Sequence, residues 1–404
     1  MVSTSFLKSG HKPTLFSSFI YSDMSFMVWV LLGPLVIYIG QDLGLLAGQQ
    51  YTLVAIPLLA GALLRIPVGI LVDRFDPLRV GILSQLTIII VLFTAYSGNL
   101  QSVWALYGLA ATLGIAGTSM AVAIPLTSRW YPDKHQGLAL GIAGAASSGT
   151  VLAALFAPSL AELYGWQTVF GLAIIPVFIS LFLFLLLAKN SPKQPETRAI
   201  VSYAKSLLDV DAWWFMLFYA MAFGGVIALA SILVLFFHEQ YQLTPVDAGY
   251  FTAACVLAGS ILRPFGGWLA DNWGGIRSMQ ILYSVVAVSL FLVGLTPSSS
   301  LVTMMLLVIT MAALGMASGA VFQLVPLRFR HQVGATTGMV GAAGGLGGFI
   351  LASLLGQSKV LSGEFQLGFF IFAGFAVLCL LGIRQVKMRW RTTWGAGDMT
   401  SARV

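Results

Sequence analysis

The sequence predicts an all-α integral membrane protein with twelve transmembrane helices in two pseudo-symmetric six-helix bundles. Three observations carry that prediction: an extremely apolar composition, twelve apolar segments of spanning length, and an internal repeat of about 200 residues. Of the 404 residues, 58% are hydrophobic and only 9% are charged, and the mean hydropathy is +0.91. A water-soluble domain could not hide so much apolar surface.

The elements follow in order. The first apolar segment, 14 to 39, is too long for a secretory leader and no small-residue cleavage site clearly follows it, so it reads as a retained helix. Segments 50 to 72, 79 to 97, 103 to 127, 136 to 160 and 166 to 188 complete a first set of six. The polar stretch NSPKQPETRAIVSYAKSLLDVD, 190 to 211, falls near mid-chain and reads as a linker. A second six follow at 212 to 237, 248 to 270, 277 to 295, 300 to 326, 334 to 356 and 367 to 384. The expected domains are therefore an N-terminal bundle over 1–188, a cytoplasmic linker over 189–211, a C-terminal bundle over 212–386 and a cytoplasmic tail over 387–404.

Charge placement orients this arrangement. With loops numbered in order, the even loops and both tails hold 18 of the 21 Lys and Arg residues, whereas the odd loops hold only Lys359. By the positive-inside rule the tails and even loops are cytoplasmic. The net charge of +7 is thus a topology signal that meets anionic lipid, and it does not imply a nucleic-acid partner.

The two remaining basic residues, Arg65 and Arg263, lie inside predicted helices. Arg65 sits eight residues before Asp73, roughly 12 Å along a helix, which puts its guanidinium near the hydrocarbon centre. A fixed offset of 198 carries Arg65 to Arg263, Gly69 to Gly267, Asp73 to Asp271 and Arg79 to Arg277. At an offset of 201, Leu113, Gly114, Pro125, Leu126 and Arg129 find their equivalents in the tenth segment, and at 197 Gly137, Gly141, Gly144, Ala145 and Ala146 find theirs in the eleventh. The halves are therefore duplicates in parallel orientation.

A buried charge within a span costs at least a few kcal/mol and faces protein, a partner or an aqueous cavity. A structural ion pair is one explanation, but the only acid well inside a predicted helix is Asp23, and one acid cannot neutralise two arginines. The simpler account is an electropositive site whose missing negative charge is the ligand. A guanidinium fork suits planar oxyanions, and its permanent charge argues against a role as proton carrier. Asp23 is a candidate proton site, an arginine partner, or a cap for polar groups. The glycine series GMVGAAGGLGGF, 338 to 349, permits close helix packing, and it also narrows any pocket to a small anion.

The loops GILVDRFDPLR and GGWLADNWGGIR resemble the loop motif of the major facilitator superfamily. The resemblance covers essentially the whole chain and implies the major facilitator fold, with Asp73, Arg79, Asp271 and Arg277 as gate and scaffold residues. Within that superfamily, SFMVWVLLGPL, SRWYPDKHQGLALGIAGA, FYAMAFGGVIAL and TGMVGAAGGLGGF resemble the nitrate/nitrite porter family. This resemblance implies that Arg65 and Arg263 clamp a nitrate or nitrite anion. It further implies that Tyr219 and Phe223, one turn apart, sandwich it, with Phe26, Met120, Ser147, Gly144 and Gly344 also lining the site. Two departures bear on selectivity. The family's GAGNSGT form reads GAASSGT here, leaving Ser147 in place of an amide, and Met120 stands where an aromatic is frequent.

The expected function is secondary transport of nitrate, with nitrite, across the cytoplasmic (inner) membrane, as exchange or proton-coupled uptake and in a monomer. A carrier of another small organic anion is the alternative. No cofactor or metal is expected. Cys255 and Cys379 lie in apolar runs, no Walker phosphate loop is present, and the four histidines fall at helix ends or loops, away from any nucleophile or base cluster. An enzyme is therefore not expected, and the short tails leave no room for an appended signalling domain.

Overall fold

The computed structural model describes residues 9–98, 100–131, 139, 142–191, 208–329 and 333–394. The start of the expected fifth span and most of the expected linker lie outside these residues. Among the described residues, twelve helices are long and apolar enough to cross a membrane. They are α1, formed of Lys12–Trp29 and Leu32–Leu43, then α2 Ala47–Phe75 and α3 Pro77–Ser97. Next come α4 Val103–Ser128, α5 Ile142–Tyr164 and α6 Trp166–Leu187. The second half holds α7 Val210–Tyr241, α8 Pro245–Trp273, α9 Gly275–Gly294, α10 Ser300–Arg328, α11 Val333–Ser362 and α12 Gln366–Trp394.

Burial separates these helices by role. The apolar windows of α1 and α7 are 89% and 94% buried, whereas those of α6 and α12 are 39% and 44% buried. Helices α1 and α7 therefore form the centre of the molecule, and α6 and α12 turn a broad apolar face outward, as a lipid-facing helix must.

The repeat is visible in backbone detail. The tight α2–α3 connection turns on Asp76, at φ 84° and ψ 147°, and the equivalent α8–α9 connection turns on Gly274, at φ 92° and ψ 137°. The same loop geometry demands a positive φ in both halves. Glycine meets it without strain, whereas Asp76 offsets its strain by accepting a hydrogen bond from the Arg79 amide at 2.9 Å, capping α3.

Several helices lose regular geometry at one level. Helix α4 tightens to 3-10 over Gly114–Thr118, α5 does so over Ala145–Ser148, and α8 is interrupted at Leu262, immediately before Arg263 and Pro264. Irregular backbone at membrane depth is tolerated where protein covers it or where it lines a cavity. Buried Arg65 and half-buried Arg263 both lie at this level.

The two ends of the bundle differ. Ion pairs between described residues each stay within one half. At the even-loop end, Asp211 of α7 accepts from Arg328 of α10 at 2.6 Å and from Trp390 of α12 at 2.9 Å, and Arg389 lies 3.3 Å away. Three side-chain hydrogen bonds between described residues cross from one half to the other: Tyr51 to Glu239, Arg65 to Gly341 and Ser147 to Ser260. The first closes the odd-loop end and the other two lie at the level of the broken helices. Backbone approach reinforces that closure, since a Cβ on Gly33 would overlap the Ser231 carbonyl of α7, and one on Gly356 would overlap the Tyr51 ring.

Candidate functional site

Arg65 is 5% exposed. Its Nε and Nη2 donate to the Gly117 carbonyl at 3.2 and 2.7 Å, and its Nη1 donates to the Gly341 carbonyl across the interface between halves. The first carbonyl belongs to the 3-10 segment of α4 and the second to the glycine series of α11. Trp29 and Phe223 present their rings at 5.6 Å from the guanidinium carbon. Trp29 is itself fixed by a hydrogen bond from its Nε1 to the Pro57 carbonyl at 2.8 Å.

Arg263 starts the second part of α8. Its Nη2 donates to the Tyr219 hydroxyl at 2.9 Å, and its guanidinium lies 5.5 Å from the Phe223 ring and 6.0 Å from the Phe322 ring. Phe223 therefore lies against both arginines. Tyr219 and Phe223 stack with centroids 5.2 Å apart and planes at 5°, because one helical turn of α7 separates them. Phe322 meets Tyr219 edge-on at 4.6 Å, and Phe26 meets Phe223 edge-on at 6.1 Å.

Among the described residues, neither arginine forms an ion pair. Asp23 does not neutralise either one; its Oδ1 accepts from the Ser148 hydroxyl and the Gly149 amide, each at 2.6 Å. Two guanidiniums thus share the Phe223 ring with no carboxylate paired to either among the described residues. Aromatic faces attract cations, but each such contact is worth only about 2 kcal/mol when desolvated, less than the cost of burying the charge. The arrangement favours an anion between the arginines.

The duplication appears as an exchange across the interface. Arg65 contacts Gly341 of α11, and Gly144 of α5, the repeat equivalent of Gly341, stands 3.6 Å from the Arg263 guanidinium when measured from an added Cβ. The glycine series divides its roles. Gly345, Gly347 and Gly348 bring α11 against Ala62, Ala220 and Gly224, which is packing. Gly344 instead makes room for the rings, since a Cβ there would lie 2.7 Å from Tyr219 Cδ1 and 2.8 Å from Phe223 Cδ1.

Met120 is buried in the same apolar core as Phe26, Tyr219 and Phe223. Ser147 donates to Ser260 of α8 at 3.3 Å. The loop-motif residues lie elsewhere, at the even-loop end: Asp73 pairs with Arg129 of α4 at 3.2 Å, and Arg79 pairs with Asp76 at 3.3 Å. Asp271 and Arg277 are exposed and enter no ion pair among the described residues. Sequence reasoning missed Trp29, Phe322 and the carbonyls of Gly117 and Gly341.

Duplicated spanning bundles around an electropositive centre define the protein as a membrane transporter. It belongs to the Major Facilitator Superfamily, whose family model matches residues 16–352. Among its relatives, the nitrite extrusion protein of Bacillus subtilis is 30% identical over 91% of both chains. The probable nitrate transporter NarT of Staphylococcus haemolyticus is 29% identical over 89% of this chain and 92% of that one. The probable nitrate/nitrite transporter NarK2 of Mycobacterium tuberculosis is 30% identical over 88% and 92%. The Escherichia coli xylose transporter XylE shares the fold, with a TM-score of 0.75 over 93% of this chain and 98% of that one, at 14% identity.

Proposed function

We propose that the protein carries nitrate, and nitrite, across the cytoplasmic membrane by alternating access, with both termini, the linker 189–211 and the tail 387–404 on the cytoplasmic side. The single observation that carries this reading is the pair of arginines, buried Arg65 and half-buried Arg263, both against the Phe223 ring with no carboxylate paired to either among the described residues. A planar trigonal anion fits both features. Its oxygens accept from the guanidinium forks, and the Phe223 ring, 5.6 and 5.5 Å from the two guanidinium carbons, supplies one aromatic wall; Tyr219 and Phe223 stack on each other at 5.2 Å and leave no room for an anion between them. The names of three relatives, each matched over about nine tenths of its length, support that anion in particular.

The two arginines divide the work. Arg65 spends donors on two carbonyls and serves as the fixed wall, whereas Arg263 makes one hydrogen bond among the described residues and keeps most of its five N–H groups for the anion. Entry and exit follow from the ends of the bundle. The odd-loop end, here external, is closed by Tyr51 and Glu239, and at the even-loop end the ion pairs between described residues each stay within one half. Loss of the Tyr51–Glu239 bond would begin the outward opening.

Counterflow into proteoliposomes with nitrate, nitrite, chloride and formate tests this function. Exchange of nitrate or nitrite with rejection of chloride and formate is the expected result; preference for formate would overturn it in favour of an organic-anion carrier. Repeating the uptake with and without an imposed pH gradient separates the coupling modes: exchange is indifferent to the gradient, and proton symport follows it.

A further inference from the structure

Helix α5 does not run smoothly past the site. Its 3-10 segment ends at Ser148, the regular helix restarts at Gly149, and Ser148 provides no side-chain cap of its own. The first amide of a restarting helix needs an acceptor. The Gly149 amide meets the Ser147 carbonyl of its own segment, and a charged acceptor is added from another helix: Asp23 Oδ1 of α1 takes both the Gly149 amide and the Ser148 hydroxyl, each at 2.6 Å. The approach leaves no slack, because a Cβ on Gly149 would overlap the Asp23 carbonyl oxygen.

The same short segment faces Arg263 on its other side. Gly144, immediately before the 3-10 turn, abuts the Arg263 guanidinium. Ser147, 2% exposed, donates to Ser260, three residues before Arg263 on α8, and Thr150 donates back to the Ser147 carbonyl at 2.6 Å. Asp23 is 7% exposed and forms no ion pair among the described residues. Its hydrogen-bond partners among the described residues are the two donors of α5, and a carboxylate at a helix start is also favoured by the helix dipole.

We propose that Asp23 is a positioning residue that caps α5 in trans and thereby sets Ser147 and Gly144 against Ser260 and Arg263, and that it does not carry a proton. The inference rests on the anion site proposed above, and it assigns Asp23 a task that either of its own donors would reveal if removed. An asparagine at the same position still offers a side-chain oxygen to both donors and so keeps the cap; alanine does not.

Two readouts test it. In the first, independent of any substrate, Ser147→Cys and Ser260→Cys are combined and disulfide formation is followed under mild oxidation, the chain with only the buried Cys255 and Cys379 serving as control. Adding Asp23→Ala should slow crosslinking by about tenfold, the scale of one lost charge-assisted hydrogen bond, and Asp23→Asn should restore it. In the second, nitrate counterflow, Asp23→Ala should raise KM several-fold with little change in kcat, Asp23→Asn should recover the wild-type KM, and Asp23→Ala should add nothing in a Ser147→Ala background. Unchanged crosslinking in Asp23→Ala overturns the positioning role, whether or not nitrate is the substrate. Loss of transport in Asp23→Asn overturns it as well, by showing that the charge or proton is required. A wild type that exchanges no nitrate or nitrite would sink the proposed function alone, leaving the crosslinking result to decide on Asp23.

Discussion

Arg65 and Arg263 share a residue type and a repeat position but not an environment. Arg65 is anchored by backbone carbonyls, whereas Arg263 leans on one phenol hydroxyl. Tyr219→Phe removes that hydroxyl and keeps the ring. A hydrogen bond to a charged group is worth about 1.5–3 kcal/mol, so KM for nitrate should rise roughly tenfold, with folding unaffected in a thermal-melt measurement. Gly344→Ala should do more, because the new methyl would displace the stacked rings from both arginines; nitrate should then fail to raise the melting temperature of the purified protein. The arginines were legible because a charge in an apolar run stands out, and the offset of 198 made them a pair. Trp29 and Phe322 were not, since an aromatic within a span looks the same whether it faces lipid or a site. Phe322 also has Ala121 as its repeat equivalent, so the duplication carries no signal there. The carbonyls of Gly117 and Gly341 are backbone groups and carry no residue-type signal at all.

Among the helices, the repeat fixes more than the order. The α2–α3 and α8–α9 connections both use a positive φ, and only the first uses a residue with a side chain. Asp76→Ala should keep the strain and lose the cap, lowering stability by about 1–3 kcal/mol, while Asp76→Gly relieves the strain and should cost less; paired thermal melts check the ranking. Asp211→Asn should be harsher, because the 1% exposed carboxylate that ties α7 to α10 and α12 would lose its charge beside Arg328 and Arg389, although Arg328 keeps its pair with Asp209 at 3.0 Å. With Arg328 30% and Arg389 46% exposed, the cost falls short of the about 3–5 kcal/mol of a fully buried pair, and the expected readout is a fall in monodisperse protein after extraction. The twelve spans were legible from hydropathy alone. The breaks in α4, α5 and α8 were not, because they depend on what the neighbouring helix presents: Gly114 and Gly117 let α4 lie against α2 and Trp29, and Asp23 supplies the cap for α5.

In the whole molecule, alternating access requires the halves to part at the odd-loop end during each cycle. Gly48 of α2 and Val360 of α11 approach there, with an added Cβ on Gly48 lying 3.9 Å from Val360 Cγ2. A disulfide between Gly48→Cys and Val360→Cys should stop transport, and reduction should restore it; continued transport in the crosslinked protein would exclude rocking about the central site. The central claim is narrower, that two arginine forks hold a planar anion. Its most direct test is nitrate counterflow in proteoliposomes for the wild type, Arg65→Lys and Arg263→Lys. Lysine keeps the positive charge but loses the planar fork, so each variant should lose at least about tenfold in nitrate exchange, the scale of one charge-assisted hydrogen bond. Normal nitrate exchange by either lysine variant would contradict the clamp.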